Sequence, residues 1–238
     1  MLSLILPSYK GAEILDKSIP DVLLHLEKLE IPYELIVVDD GSDDDNQTML
    51  VADKFGAIYI QNESNRGKGF SVKQGVFKAK GDVILFTDID LPFGVAEISK
   101  FYNELKNSDF DVLIGDLTHP DSNYFDKIPA SRKKASKLFS TFISFFILSG
   151  GYDTQCGLKG FKKKAADSIF NLLSIDRFAF DVEALVIAKK QKLTIKAVPV
   201  QFVSSQEGAS AGLMKQGMKM LLDLFKIRWK AFTGCYNQ

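Results

Sequence analysis

Short unbroken apolar runs alternate along this chain with longer stretches in which apolar positions return every three or four residues. That is the pattern of strands buried on both faces, joined by amphipathic helices. Leu2–Leu6, stopped by Pro7, then Leu35–Val38, Ala57–Ile60, Val83–Phe86 and Asp111–Gly115 predict strands. Ile14–Leu29 carries Ile14, Leu15, Ile19, Val22, Leu23, Leu26 and Leu29 at helical spacing, with Pro20 predicting a kink or a restart. Helices are also predicted after the acidic group Asp43-Asp44-Asp45, which is placed as N-terminal capping charge, and over Phe70–Lys80 and Val95–Leu105. Strands alternating with helices at this spacing imply an α/β fold with a mostly parallel sheet.

The second half is less regular. Residues 116–130 show no period and read as a surface excursion. Ser131–Leu148 opens with Arg132, Lys133, Lys134 and Lys137 and turns almost wholly apolar, which fits a buried helix or an interfacial one; it falls short of the roughly 20 residues a spanning helix needs. A strand-like piece at Leu158–Phe161, helices from Ala165 and from Asp181, and a bent strand or strand pair over Thr194–Val203 follow. Met214–Phe232 is helical, setting Leu221, Leu222, Leu224, Phe225, Ile227, Trp229 and Phe232 against Lys219, Lys226, Arg228 and Lys230. Packed surface helix is the plainer reading of it; Trp229 with flanking cations keeps a membrane surface open.

Composition narrows the classes. With 238 residues and 46% hydrophobic content the chain has enough apolar surface for one large domain or two small ones. Thirty basic residues balance thirty acidic ones, so no global field recruits nucleic acid. Cys156 and Cys235 are too few for a disulfide framework and lack zinc spacing. The opening apolar run is too short for a secretory signal, which makes a cytoplasmic protein the expectation.

The chemistry gathers where strands end. Val83–Phe86 runs into Thr87-Asp88-Ile89-Asp90, two carboxylates one residue apart, and in an open α/β sheet ligands bind beyond the carboxyl ends of the strands. Two hard oxygen ligands there suit Mg²⁺ or Mn²⁺. An Asp-x-Asp alone is commonly a plain turn, but the other strand ends point the same way: Pro7-Ser8-Tyr9, Asp39-Asp40-Gly41-Ser42 and Asn65-Arg66-Gly67-Lys68-Gly69. A nucleotide across that edge would meet a ring to stack on, a carboxylate for a base N–H and a cationic Gly-rich loop for phosphates. The Walker spacing is absent.

These four motifs resemble, in order and spacing, the nucleotide-sugar half of family-2 glycosyltransferases. Asp153-Thr154-Gln155-Cys156-Gly157-Leu158-Lys159 and Arg177-Phe178-Ala179-Phe180-Asp181-Val182-Glu183 resemble the paired motifs of the dolichyl-phosphate β-glucosyltransferases and related polyprenyl-phosphate sugar transferases. The resemblance implies the GT-A fold across residues 1–238, with a nucleotide-sugar half over 1–115 and an acceptor-side half over 116–238. It implies a metal-dependent inverting transfer of a hexose from a nucleoside-diphosphate sugar, UDP favoured, to a polyprenyl phosphate. Carried over by position, Pro7, Ser8, Tyr9 and Asp40 shape the base pocket, and Lys68 adds to the phosphate field. Asp88 and Asp90 hold the metal. Asp153 and Gln155 form the acceptor-side element, with Asp153 acting as base or as orienting group, and Arg132 and Lys133 are matched more loosely to the acceptor phosphate. Asp181 and Glu183 are read either as helix caps or as sugar- or loop-positioning groups.

Two features depart from the family pattern. Leu91-Pro92-Phe93 follows Asp90 where relatives carry a small or amide residue, which leaves out a further metal ligand. The family's spanning anchor has no counterpart, implying peripheral binding on the cytoplasmic membrane face or a soluble hydroxyl acceptor. A sugar-nucleotide pyrophosphorylase would need a Gly-rich, Arg-containing loop after the first strand, which Pro7–Gly11 does not supply. A sugar-nucleotide-binding protein without transfer activity is the remaining class.

Overall fold

The computed structural model describes residues 1–123, 156–203 and 213–237, the last segment with side chains from residue 219 onward. In chain order the elements are β1 (Leu2–Ser8), α1 (Ala12–Lys28), β2 (Tyr33–Asp39), α2 (Gln47–Lys54), β3 (Ile58–Gln61), α3 (Lys68–Lys78) and β4 (Val83–Phe86). They continue with α4 (Val95–Asn107), β5 (Val112–Asp116), β6 (Lys159–Lys162), α5 (Lys163–Leu172), α6 (Phe180–Lys190), β7 (Ile195–Pro199) and α7 (Leu213–Phe232). The strands form one sheet in the order β3-β2-β1-β4-β6-β5-β7. β6 runs antiparallel to both neighbours and every other pairing is parallel.

Strand alternation divides the core into two layers. Leu2, Leu4, Leu6, Leu35, Val37, Val83 and Leu85 face one way, against α1, α2 and α4. Ile5, Ile36, Val38, Ile84 and Phe86 face the other, against α3, α5, α6 and α7. With both faces covered, a strand gains nothing from polar alternation, which is why these runs are continuously apolar.

Three local expectations are corrected. α1 is one helix through Pro20; Leu15, Ile19, Val22 and Leu26 are buried at helical spacing on both sides of it, so packing holds the helix across the missing hydrogen bond. α3 begins at Lys68, two residues earlier than its apolar period suggests. Thr194–Val203 supplies a single strand, Ile195–Pro199, paired with β5. The capping expectation for the acidic group is met through Asp44, whose Oδ2 accepts from Thr48 N and Oγ1 at 3.1 and 2.5 Å. The basic-to-apolar segment Ser131–Leu148 lies outside the described residues.

Parallel pairing brings the ends of β1, β2, β3 and β4 to one edge. Ser8 is in register with Asp39 and Asp39 with Gln61, while Ile5 is in register with Phe86. Phe86 is fully buried and packs against Phe161 and Phe180, with ring centroids 6.2 and 5.6 Å away. Burying such a ring stabilises by about 1.5–3 kcal/mol. The strand end that presents Asp88 is thereby anchored two residues before it.

Candidate active site

The turn after β2 is built from its own acids. Asp39, wholly buried, accepts from Ser42 N and Oγ through Oδ1 at 3.0 and 2.5 Å and from the Tyr59 hydroxyl through Oδ2 at 3.0 Å. Ser42 Oγ in turn accepts from Lys10 N at 2.7 Å, which ties this turn to the one after β1. On that first turn Tyr9 is half exposed and Ser8 is buried. Ser8 Oγ has no hydrogen-bond partner among the described residues. An open groove of about 420 Å³ lies beside these turns, lined by Gly41, Ser42, Asp43, Gln61, Asn62 and Glu63.

Asp40 carries a task that its position in the sequence does not announce. Its Oδ1 accepts from Asn62 Nδ2 at 2.9 Å and Arg66 N at 3.0 Å, and its Oδ2 accepts from Gly67 N at 2.7 Å. The carboxylate therefore holds the whole loop from Asn62 to the start of α3. A carboxylate offers about four acceptor sites, so three donors leave room for one more. From the other side Arg66 donates to Asp176 Oδ2 through Nε and Nη2 at 3.2 and 2.7 Å and lies 3.6 Å over the Phe70 ring. Gly67 sits at φ +115° with the backbone of Asp176 against it; an added Cβ would stand 2.7 Å from Asp176 O. A side chain is excluded there by conformation and by space.

This loop sets Lys68 at the first turn of α3, facing the end of β4. Its Nζ donates to Asp88 Oδ1 at 2.5 Å. Burial alone would pull the Lys68 ammonium down, but the Asp88 and Asp181 carboxylates more than offset it and hold its pKa above the ordinary lysine value. The other oxygen of Asp88 lies against Gly157, where a Cβ would meet Oδ2 at 2.1 Å. A side chain there would require that carboxylate to turn. Behind this pair stands a second one: Lys159 is fully buried, its Nζ 3.2 Å from Asp181 Oδ1 and 2.6 Å from the carbonyl of Cys156. Burial pushes the Asp181 carboxyl up, against the pull of Lys159 and Lys68. Two cations and two carboxylates thus alternate beside the Phe86 ring, each ammonium 5.8 Å from its centroid.

Glu183 does not reach this cluster. Wholly buried, it accepts from Ser174 N and Oγ, Ile175 N and the Tyr236 hydroxyl at 2.6–2.8 Å. Of the roles weighed for it, loop positioning is what it performs, on residues 174–175.

The donor set at the end of β4 fits a hard divalent ion. Asp88 and Asp90 follow one another on the tight turn that Leu91 N closes onto Asp88 O at 3.1 Å, and Asp88 is part exposed. Among the described residues no group of three or more His, Cys, Asp or Glu forms a metal cage. Mg²⁺-type sites use one or two carboxylates and take the rest of the shell from water and substrate phosphates, so a pair is the appropriate number. Asp153, Gln155, Arg132 and Lys133 lie outside the described residues. Sequence reasoning missed Asn62, Asp176, Gly157 and Lys159 as members of the arrangement. Gly157 and Lys159 both stand inside the motif 153–159, and Lys159 carried a further signal, a lysine inside an apolar strand segment that burial forces to find a carboxylate.

Comparison with known proteins gives this geometry a family. The sequence profile described as Glycosyl transferase family 2 matches residues 3–170. The chain is 32% identical to the dolichyl-phosphate beta-glucosyltransferase of Homo sapiens, over 99% of this chain and 77% of that one. It is 29% identical to the protein of the same name from Dictyostelium discoideum, over 99% and 76%. Among solved structures it is similar to glucosyl-3-phosphoglycerate synthase from Mycobacterium tuberculosis, determined with Mn²⁺, UDP and glucosyl-3-phosphoglycerate. That likeness has a TM-score of 0.70 at 16% identity and covers 96% of this chain and 80% of the other. At that identity it speaks for the fold, which is the GT-A architecture expected from the motifs. The matched profile spans well over half of the sequence, and the chain belongs to glycosyltransferase family 2.

Proposed function

We propose that the protein transfers a hexose, glucose first among the candidates, from a UDP-sugar to a polyprenyl phosphate of dolichyl type with inversion at the anomeric carbon. The observation that carries this reading is the convergence of Lys68, Asp88 and the turns after β1 and β2 on one sheet edge. The names of the relatives supply the sugar and the acceptor class.

The residues divide the work. Tyr9, half exposed at the edge, offers a face to the base, and the spare acceptor site of Asp40 offers a partner for a base N–H. Lys68, already beside Asp88, shares its protons between that carboxylate and the donor's phosphate oxygens. Asp88 and Asp90 would hold Mg²⁺ or Mn²⁺, which when bound neutralises the charge that develops on the leaving diphosphate. The acceptor is a phosphate monoester whose second pKa is near ~6, so at neutral pH its oxygen is already anionic and needs no base. An acceptor phosphate oxygen forms the new bond to the anomeric carbon as the bond to the diphosphate breaks, and UDP departs with that electron pair. Asp153 and Gln155 are proposed to orient the acceptor instead of removing a proton.

The test incubates the protein with a panel of nucleotide sugars, Mg²⁺ or Mn²⁺ and a short isoprenyl phosphate. A charged glycolipid formed from UDP-glucose is the expected product. Transfer only to soluble hydroxyl acceptors, or nucleotide-sugar binding with no transfer, contradicts the proposal.

A further inference from the structure

The C-terminal helix α7 has two apolar faces. Leu224 and Ile227 are buried in the core, with Met220 and Ala231 packed beside them. Leu221, Leu222, Phe225, Trp229 and Phe232 point away, from 39% exposed at Leu221 to 86% at Phe232. At 3.6 residues per turn these five fall within an arc of about 100°. A single exposed leucine needs no explanation, but a continuous stripe of two leucines and three aromatic rings does.

We infer that this outward stripe is an interfacial foot that lies in the headgroup region of an anionic lipid bilayer. The inference deepens the proposed function and rests on its lipid acceptor. Charge selects the occupant. Lys215, Lys219, Lys226, Arg228 and Lys230 face a single acid, Asp223, within α7, although the whole chain balances at zero. Asp223 already bonds Lys226 at 3.4 Å. Lys219 and Lys226 are exposed along one flank of the stripe and Arg228 along the other. A second copy laid face to face would bring these cations against their like, whereas anionic headgroups complement them. A cation-flanked aromatic stripe is the pattern of helices that lie in a membrane surface, with tryptophan at headgroup depth. No helix among the described residues is long and apolar enough to cross a membrane, so α7 lies on the bilayer.

The foot is joined to the donor site. Lys230 Nζ donates to Ser174 Oγ at 2.6 Å, and Tyr236, just past the helix, donates to Glu183, which grips the same residue. Two residues on, Asp176 holds Arg66 of the loop that carries Lys68. One short segment thus connects the bilayer contact to the phosphate-facing loop.

Trp229 is the chain's one tryptophan, so its emission reads this face directly. The full-length protein is titrated with vesicles of phosphatidylcholine alone and of phosphatidylcholine mixed with phosphatidylserine. Expected are a blue shift and co-sedimentation on the mixed vesicles that salt reverses. Phe225→Asp with Phe232→Asp, which keeps the reporter, should lower partitioning on the order of 10²-fold with an unchanged melting temperature. Lys219→Gln and Lys226→Gln should each lower it about five-fold. Unshifted emission on the mixed vesicles overturns the inference, and so does a lipid-free blue shift that follows a doubling of mass, which assigns the stripe to a second copy. Transfer to a short soluble isoprenyl phosphate without vesicles is measured in parallel. If transfer persists while vesicle binding fails, only the foot is lost; if transfer fails, the proposed function is at fault whatever the vesicles show.

Discussion

Gly157 has no side chain, yet the position of Asp88 depends on it. With Asp88 Oδ2 where a Cβ would stand, any larger residue makes the carboxylate turn from the orientation in which it meets Lys68. Misplacing a reacting group by about 1 Å can cost about 10²-fold in rate. Gly157→Ala should therefore lower kcat by about that factor while circular dichroism stays native, and wild-type turnover in this variant would contradict the geometry. The two aspartates were legible in the sequence because a paired acid at the end of an apolar run is a local pattern. The roles of Gly157 and Lys159, although both stand in a motif that was read, were not, because they depend on β6 lying antiparallel between β4 and β5, a pairing no local period encodes.

The loop from Asn62 to Gly67 is the element on which the cationic side of the site depends. Its conformation is set from outside, by Asp40 on β2's turn and by Asp176 before α6. The motif Asn65–Gly69 was readable as a cationic Gly-rich loop at the strand-end edge, and Lys68 lies at that edge against Asp88. Asp40 was readable only as a base contact, since its bonds to Arg66 and Gly67 join residues more than twenty-five positions apart. Asp40→Asn turns one acceptor oxygen into a donor facing another N–H. An unmet buried group of this kind costs about 1–3 kcal/mol. The variant should melt at lower temperature and bind UDP more weakly, as thermal unfolding and calorimetry would show; unchanged UDP affinity would remove Asp40 from the site.

Across the whole molecule, tyrosine–carboxylate bonds fasten distant parts of the chain to one another. Tyr236 ties the C-terminus to Glu183, and Tyr59 on β3 bonds Asp39 on β2. Burial and then the facing carboxylate raise both phenols well above their ordinary value of 10.0. The folded protein keeps these protons at pH values where the unfolded chain has lost them. Their contribution is therefore complete below pH 10.0 and falls as pH rises beyond it. Tyr236→Phe should flatten that alkaline loss of stability in urea melts between about pH 9 and 11, and an unaltered slope would contradict the assignment. The α/β class, the succession of strands along the chain up to β4 and the edge where the turns meet were all legible, because buried parallel strands write themselves as apolar runs. The apolar positions of α7 were legible too, but their division into a packed face and an open one required the helix to be seated on α6.

In the proposed function a donor diphosphate is held at the end of β4 by a divalent ion on Asp88 and Asp90, with Lys68 beside it. Titration calorimetry of UDP in Mn²⁺ and in EDTA tests this most directly. Wild-type protein should bind at least about ten-fold more weakly in EDTA, a difference of about 1.4 kcal/mol, and Asp90→Ala should bind equally weakly with or without the metal. Equal wild-type affinity in Mn²⁺ and in EDTA would contradict the account.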